Sequence, residues 1–92
     1  MYLVLVYDIK MDENGPRVLR RVFKTCKRYL THIQASVFEG ELEKSQIMKL
    51  ECELRQYLRQ GMDSCIIFKS RNNVWMKKEF LVEQEDLSSE FI

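Results

Sequence analysis

Apolar positions along the chain fall into continuous runs and helical stripes, and the change from one to the other sets out its elements. Met1-Tyr2-Leu3-Val4-Leu5-Val6-Tyr7 is an unbroken apolar and aromatic run with β-branched valines, which predicts a strand buried on both faces in the middle of a sheet. The run stops at Asp8, a carboxylate at the point where a central strand leaves the core. Met11-Asp12-Glu13-Asn14-Gly15-Pro16 is a polar turn whose proline suits the first turn of a helix. From about Pro16 to Tyr29 the apolar residues Val18, Leu19, Val22, Phe23 and Cys26 recur at helical spacing, with Leu30 beyond them, so an amphipathic helix is expected.

Thr31 to Leu42 alternates in places and carries β-branched and aromatic residues. It reads as two short strands or one bent strand, with Ala35-Ser36 as the place to turn or bulge and Gly40 as a second kink or close approach. A second helix is expected from about Lys44 to Arg59, with Ile47, Leu50, Leu54, Tyr57 and Leu58 on one side and Gly61 as its stop. A strand over Asp63 to Lys69 follows, then turn chemistry at Ser70-Arg71-Asn72-Asn73 and a further strand within Val74 to Val82. The tail from Glu83 is acidic but closes on Phe91-Ile92, an ending that suits docking better than free solvation. The order strand, helix, one or two strands, helix, strand is the βαββαβ plan of the ferredoxin-like sandwich, an α+β fold, here with an added C-terminal strand.

Length and charge sharpen this picture. At 92 residues the chain is one small domain with limited capacity to bury surface, so a partner copy would add to its stability. The formal net charge is +1, yet the charges are segregated: the first helix places Arg17, Arg20, Arg21, Lys24, Lys27 and Arg28 opposite its apolar stripe, and no acidic residue occurs from Gly15 to Phe38. Such a face is the electrostatic footprint expected for a polyanion; a plain solvated helix face is the alternative. The three cysteines, Cys26, Cys52 and Cys65, lack the close spacing of a zinc or redox motif and read as ordinary buried thiols of a reducing, cytoplasmic compartment. No stretch approaches the ~20 apolar residues of a membrane span. His32, within the basic run, reads as a packed or surface imidazole rather than a catalytic base. For Asp8 two roles stay open on these grounds, a cap or turn acceptor and a metal or catalytic carboxylate.

The first strand ending Val6-Tyr7-Asp8-Ile9, the arginine-rich helix and Gln34-Ala35-Ser36-Val37-Phe38-Glu39-Gly40 together resemble the CRISPR-associated Cas-two family, the smaller of the two core adaptation proteins. The resemblance implies that Asp8 binds Mg2+, or Mn2+ in its place, with Tyr7 beside it in the catalytic motif. It also implies nucleic-acid contact by basic residues such as Arg17 and Arg21, and a second motif built on Gln34, Ser36 and Phe38. Members of the family form a homodimer in which two such aspartates face each other across the two-fold axis and the C-terminal strand and tail, here 73–92, cross to the partner protomer. Magnesium takes hard oxygen ligands, commonly one or two carboxylates with water and phosphate oxygens, and two copies of Asp8 supply a pair. The sequence departs from the family at His32, where a basic residue often stands. Two functions follow from the resemblance: a magnesium-dependent endonuclease acting on RNA or DNA, and a scaffold that joins the Cas-one integrase in holding protospacer DNA. The scaffold is the favoured biological role. Outside the family, a toxin-like endoribonuclease and a ferredoxin-like nucleic-acid-binding module without catalysis are the alternatives.

Overall fold

The computed structural model describes residues 1–71 and 77–82. The valine-rich opening run forms β1 (Tyr2–Asp8), followed by α1 (Gly15–Tyr29), β2 (Thr31–Gln34), β3 (Val37–Glu41), α2 (Lys44–Tyr57) and β4 (Ser64–Ser70). The strands make one sheet in the order β2-β3-β1-β4, with every neighbouring pair antiparallel. This is the βαββαβ sandwich expected from the sequence, and β1 lies inside the sheet as expected.

Period-two alternation decides which residues of β1 enter the core. Leu3, Leu5 and Tyr7 are buried, and they cluster with Val22 and Cys26 of α1, Phe38 of β3 and Ile47, Leu50 and Leu54 of α2. Both helices therefore cover one face of the sheet. Tyr2, Val4 and Val6 point to the other face and are only half-buried, so β1 is not buried on both faces within one chain. Opposite Val6 and Val4, β4 presents Ile66 and Phe68, which stay 53 and 51 % exposed. The continuous run arises because this second face is apolar too.

Ala35 and Ser36 make the turn between β2 and β3, with Ala35 at φ 39°, so the two-strand alternative applies. The sequence pattern predicts that α2 ends at Arg59; it ends at Tyr57 because Leu58 turns extended and the Asp63 carboxylate accepts the Arg59 backbone N–H at 2.9 Å. Gly61 follows in the turn at φ 79°. Cys26 is buried and Cys65 half-buried, whereas Cys52 is exposed on α2, which corrects the expectation of three buried thiols.

The expected C-terminal strand falls partly on residues outside those described, as do Phe91 and Ile92. Residues 77–82 carry no strand, although the Lys78 ammonium pairs with Glu39 of β3. No helix among the described residues is long and apolar enough to cross a membrane.

Candidate metal and nucleic-acid site

Alternation along β1 separates the two residues of the opening motif. Tyr7 is 2 % exposed, its ring stacked on Phe38 with centroids 6.0 Å apart. Its hydroxyl is buried with no hydrogen-bond partner among the described residues, and burial pushes its pKa far above the usual phenol value. Asp8, one residue on, is exposed at the end of the open sheet face, opposite Ser64 of β4. The structure thus does not bring the Tyr7 hydroxyl to the Asp8 carboxylate.

The second motif shapes the hairpin. Gln34 is exposed at the end of β2, and the carbonyl of Ser36 accepts the Tyr7 backbone N–H at 3.3 Å. Phe38 is fully buried among Tyr7, Phe23 and His32, with centroids 6.0, 5.5 and 4.8 Å away. His32 donates from Nε2 to the Ala35 carbonyl at 2.8 Å, since a carbonyl can only accept. It is a half-buried imidazole packed against Phe23 and Phe38, within the packed-or-surface reading of the sequence.

The chain beyond Asp8 is tied down by a group that sequence reasoning missed. Arg59 donates from Nε and one terminal nitrogen to Asp63 at 2.9 and 3.0 Å. It also donates to the Asp12 carboxylate at 2.6 Å and to the Lys10 carbonyl at 2.8 Å. Asp63 in turn accepts the Lys10 backbone N–H at 2.9 Å. The Arg59 hydrogen bond, with those from the Lys10 and Arg59 backbone, outweighs burial and lowers the Asp63 pKa to about 2; hydrogen bonding to Arg59 lowers that of Asp12 as well. The helix approaches this loop so closely that a Cβ on Gly15 would stand 2.5 Å from the Lys10 carbonyl oxygen. The signal available beforehand was the Arg59–Asp63 spacing at the end of an apolar helix, but nothing in the pattern joins it to residues 10–12.

Arg17, Arg20, Arg21 and Lys24 are all exposed on α1, at spacings of three and four that keep them on one side of the helix. None forms an ion pair with a described residue, whereas Arg28 is bound to Glu53 of α2. The Arg21 guanidinium lies 5.5 Å from the centre of the Tyr57 ring. Arg17, Arg21, Asn14, Gln56 and Tyr57 line an open cleft of about 500 Å³ between the helices.

No group of three His, Cys, Asp or Glu residues that could hold a metal occurs among the described residues, so the metal reading rests on Asp8. An exposed carboxylate without an ion-pair partner among them suits Mg2+ as one hard ligand, to be completed by phosphate oxygens, water or a second copy.

Fold and site together define a ferredoxin-like domain with an acidic strand end and a cationic first helix. The family described as CRISPR associated protein Cas2 matches residues 1–78. A protein of Fusobacterium nucleatum, called CRISPR-associated endoribonuclease Cas2, is 55 % identical over 92 residues, covering all of this chain and 87 % of its own. A crystal structure of a Cas2 superposes with a TM-score of 0.72 at 32 % identity, over 95 % of this chain and 91 % of the other. Streptococcus pyogenes Cas2, crystallised at pH 6.5, gives a TM-score of 0.74 at 24 % identity, over 87 % of this chain and 99 % of the other, a likeness of fold. The chain belongs to the CRISPR-associated Cas2 family.

Proposed function

We propose that the chain acts as a homodimer that binds protospacer DNA together with the Cas-one integrase during spacer acquisition, and that its nucleic-acid contacts run along α1. The observation that carries this reading is the row Arg17, Arg20, Arg21 and Lys24, exposed and without ion-pair partners among the described residues. Such a row neutralises phosphates without reading bases. The open sheet face supports the dimer, because Val4, Val6, Ile66 and Phe68 form an apolar surface that a second copy can cover. Asp8 stands at the end of that face, so a two-fold pairing there would gather two carboxylates.

A second activity is hydrolysis of RNA or DNA, with Mg2+ or Mn2+ held by Asp8; the name endoribonuclease of the Fusobacterium relative supports the cleavage of RNA. The metal, when bound, supplies positive charge at the scissile phosphate. Asp8 supplies an anionic oxygen ligand at a solvent-accessible strand end, and Tyr7 supports that end from the core side. Replacing Asp8 with Asn keeps the shape and removes the charge. Cleavage of single-stranded RNA and of duplex DNA by the purified variant should disappear while DNA binding and dimerisation persist. Equal cleavage by Asp8→Asn and wild type would remove Asp8 from the reaction. Spacer acquisition by the variant separates the two roles, since a scaffold tolerates the substitution.

A further inference from the structure

Asp8 is the last residue of β1 and an exposed strand end is free to fray unless something fixes the chain that follows. Four hydrogen-bonding groups meet just past it. Lys10 is held at both its backbone polar atoms, the N–H by Asp63 and the carbonyl by Arg59. The same guanidinium grips Asp12 two residues on and Asp63 across the sheet edge. Asp63 immediately precedes Ser64, the residue paired with Asp8 in the sheet. Arg59 thus closes a ring through both strands that meet at the Asp8 carboxylate, and its side chain is only 20 % exposed.

We propose that Arg59 is a positioning residue for Asp8: its fork, set by Asp63 and Asp12, fixes the backbone after β1 and so the direction in which the Asp8 carboxylate faces its ligand. The proposal rests on the reading of Asp8 as the metal-binding carboxylate. A lysine at position 59 keeps the charge but cannot make several directed hydrogen bonds from one plane. The geometry of the whole ring therefore depends on the guanidinium and not on a cation as such.

The test compares wild type with Arg59→Lys and Asp12→Asn, and with Arg28→Gln as a control that breaks an ion pair between α1 and α2 instead. Amide hydrogen exchange is followed in the metal-free full chain, and Mn2+ affinity by electron paramagnetic resonance. In Arg59→Lys the Lys10 amide should exchange about tenfold faster or more, as expected for a weakened charge-assisted hydrogen bond. The amides of Leu3 to Val6 should stay protected as in wild type, and Asp12→Asn should give a smaller change at the same positions. Mn2+ affinity should fall about 10- to 100-fold in Arg59→Lys, the usual effect of losing a supporting partner of a ligand, and remain unchanged in Arg28→Gln. Unaltered exchange at Lys10, or loosening spread evenly along β1, would overturn the proposal, as would local loosening with wild-type Mn2+ affinity. If Asp8→Asn binds Mn2+ as wild type does, the metal reading of Asp8 is what fails, and the exchange measurement still decides whether Arg59 holds the strand end.

Discussion

Tyr7 and Asp8 are neighbours in the chain but belong to different environments, and their substitutions should separate accordingly. Tyr7 carries a buried hydroxyl without a partner among the described residues, and such a group costs about 1–3 kcal/mol when left unsatisfied. Tyr7→Phe keeps the stack on Phe38 and should raise stability in urea by about 1 kcal/mol, with nuclease activity and nucleic-acid binding unchanged; loss of cleavage with wild-type stability would give the hydroxyl a chemical role. Asp63 has its pKa lowered to about 2 by its hydrogen bond to Arg59 and by backbone donors. A depressed carboxylate stabilises the fold above its unfolded pKa of ~3.9, and that contribution is lost as pH falls through the folded value. Acid unfolding of wild type should therefore steepen between about pH 4 and pH 2, and Asp63→Asn should flatten that limb when followed by circular dichroism. At higher pH the variant should be the less stable protein throughout.

At the level of elements, α1 makes the clearest forecast. Changing Arg17, Arg21 and Lys24 together to Gln should weaken binding to all duplex sequences alike. It should also reduce the slope of log affinity against log salt by about 0.9 for each phosphate that the helix no longer neutralises. An unchanged slope in a fluorescence-anisotropy titration would put the nucleic acid on another face. The legibility of the elements follows the range of the forces behind them. α1 and β4 are readable because helical spacing and an apolar run are local signals, whereas Ala35-Ser36 marks a change of direction that fits a bulge as well as the hairpin turn found. Two features are not readable. The end of α2 depends on Asp63 capturing the Arg59 N–H, a bond made only after the chain has turned back. The apolar run of β1 fits a strand with two covered faces and equally one whose second apolar face is only half covered, because periodicity reports polarity and not what lies opposite. At the site, the exposed Asp8 and the cationic face are legible as residue types in place. The Arg59 ring is not, since it joins positions 10, 12, 59 and 63 through tertiary structure alone.

For the whole molecule, the open sheet face and the C-terminal segment carry the forecast. Ile66 and Phe68 are about half exposed, and unpaired edges and apolar faces invite association. If the C-terminal segment crosses to the partner's sheet and so closes the dimer, a chain ending after residue 72 should be monomeric or aggregation-prone by light scattering; a clean dimer of native mass would place the interface away from that segment. The single Asp8 at the end of each sheet has a genetic consequence. If two copies complete one metal site, an Asp8→Asn subunit inactivates every wild-type subunit it pairs with. Co-expressed in excess, it should then act as a dominant-negative allele for cleavage, with activity falling as the square of the wild-type fraction. With a site complete within each chain, activity per total protein would instead fall only in direct proportion to the wild-type fraction.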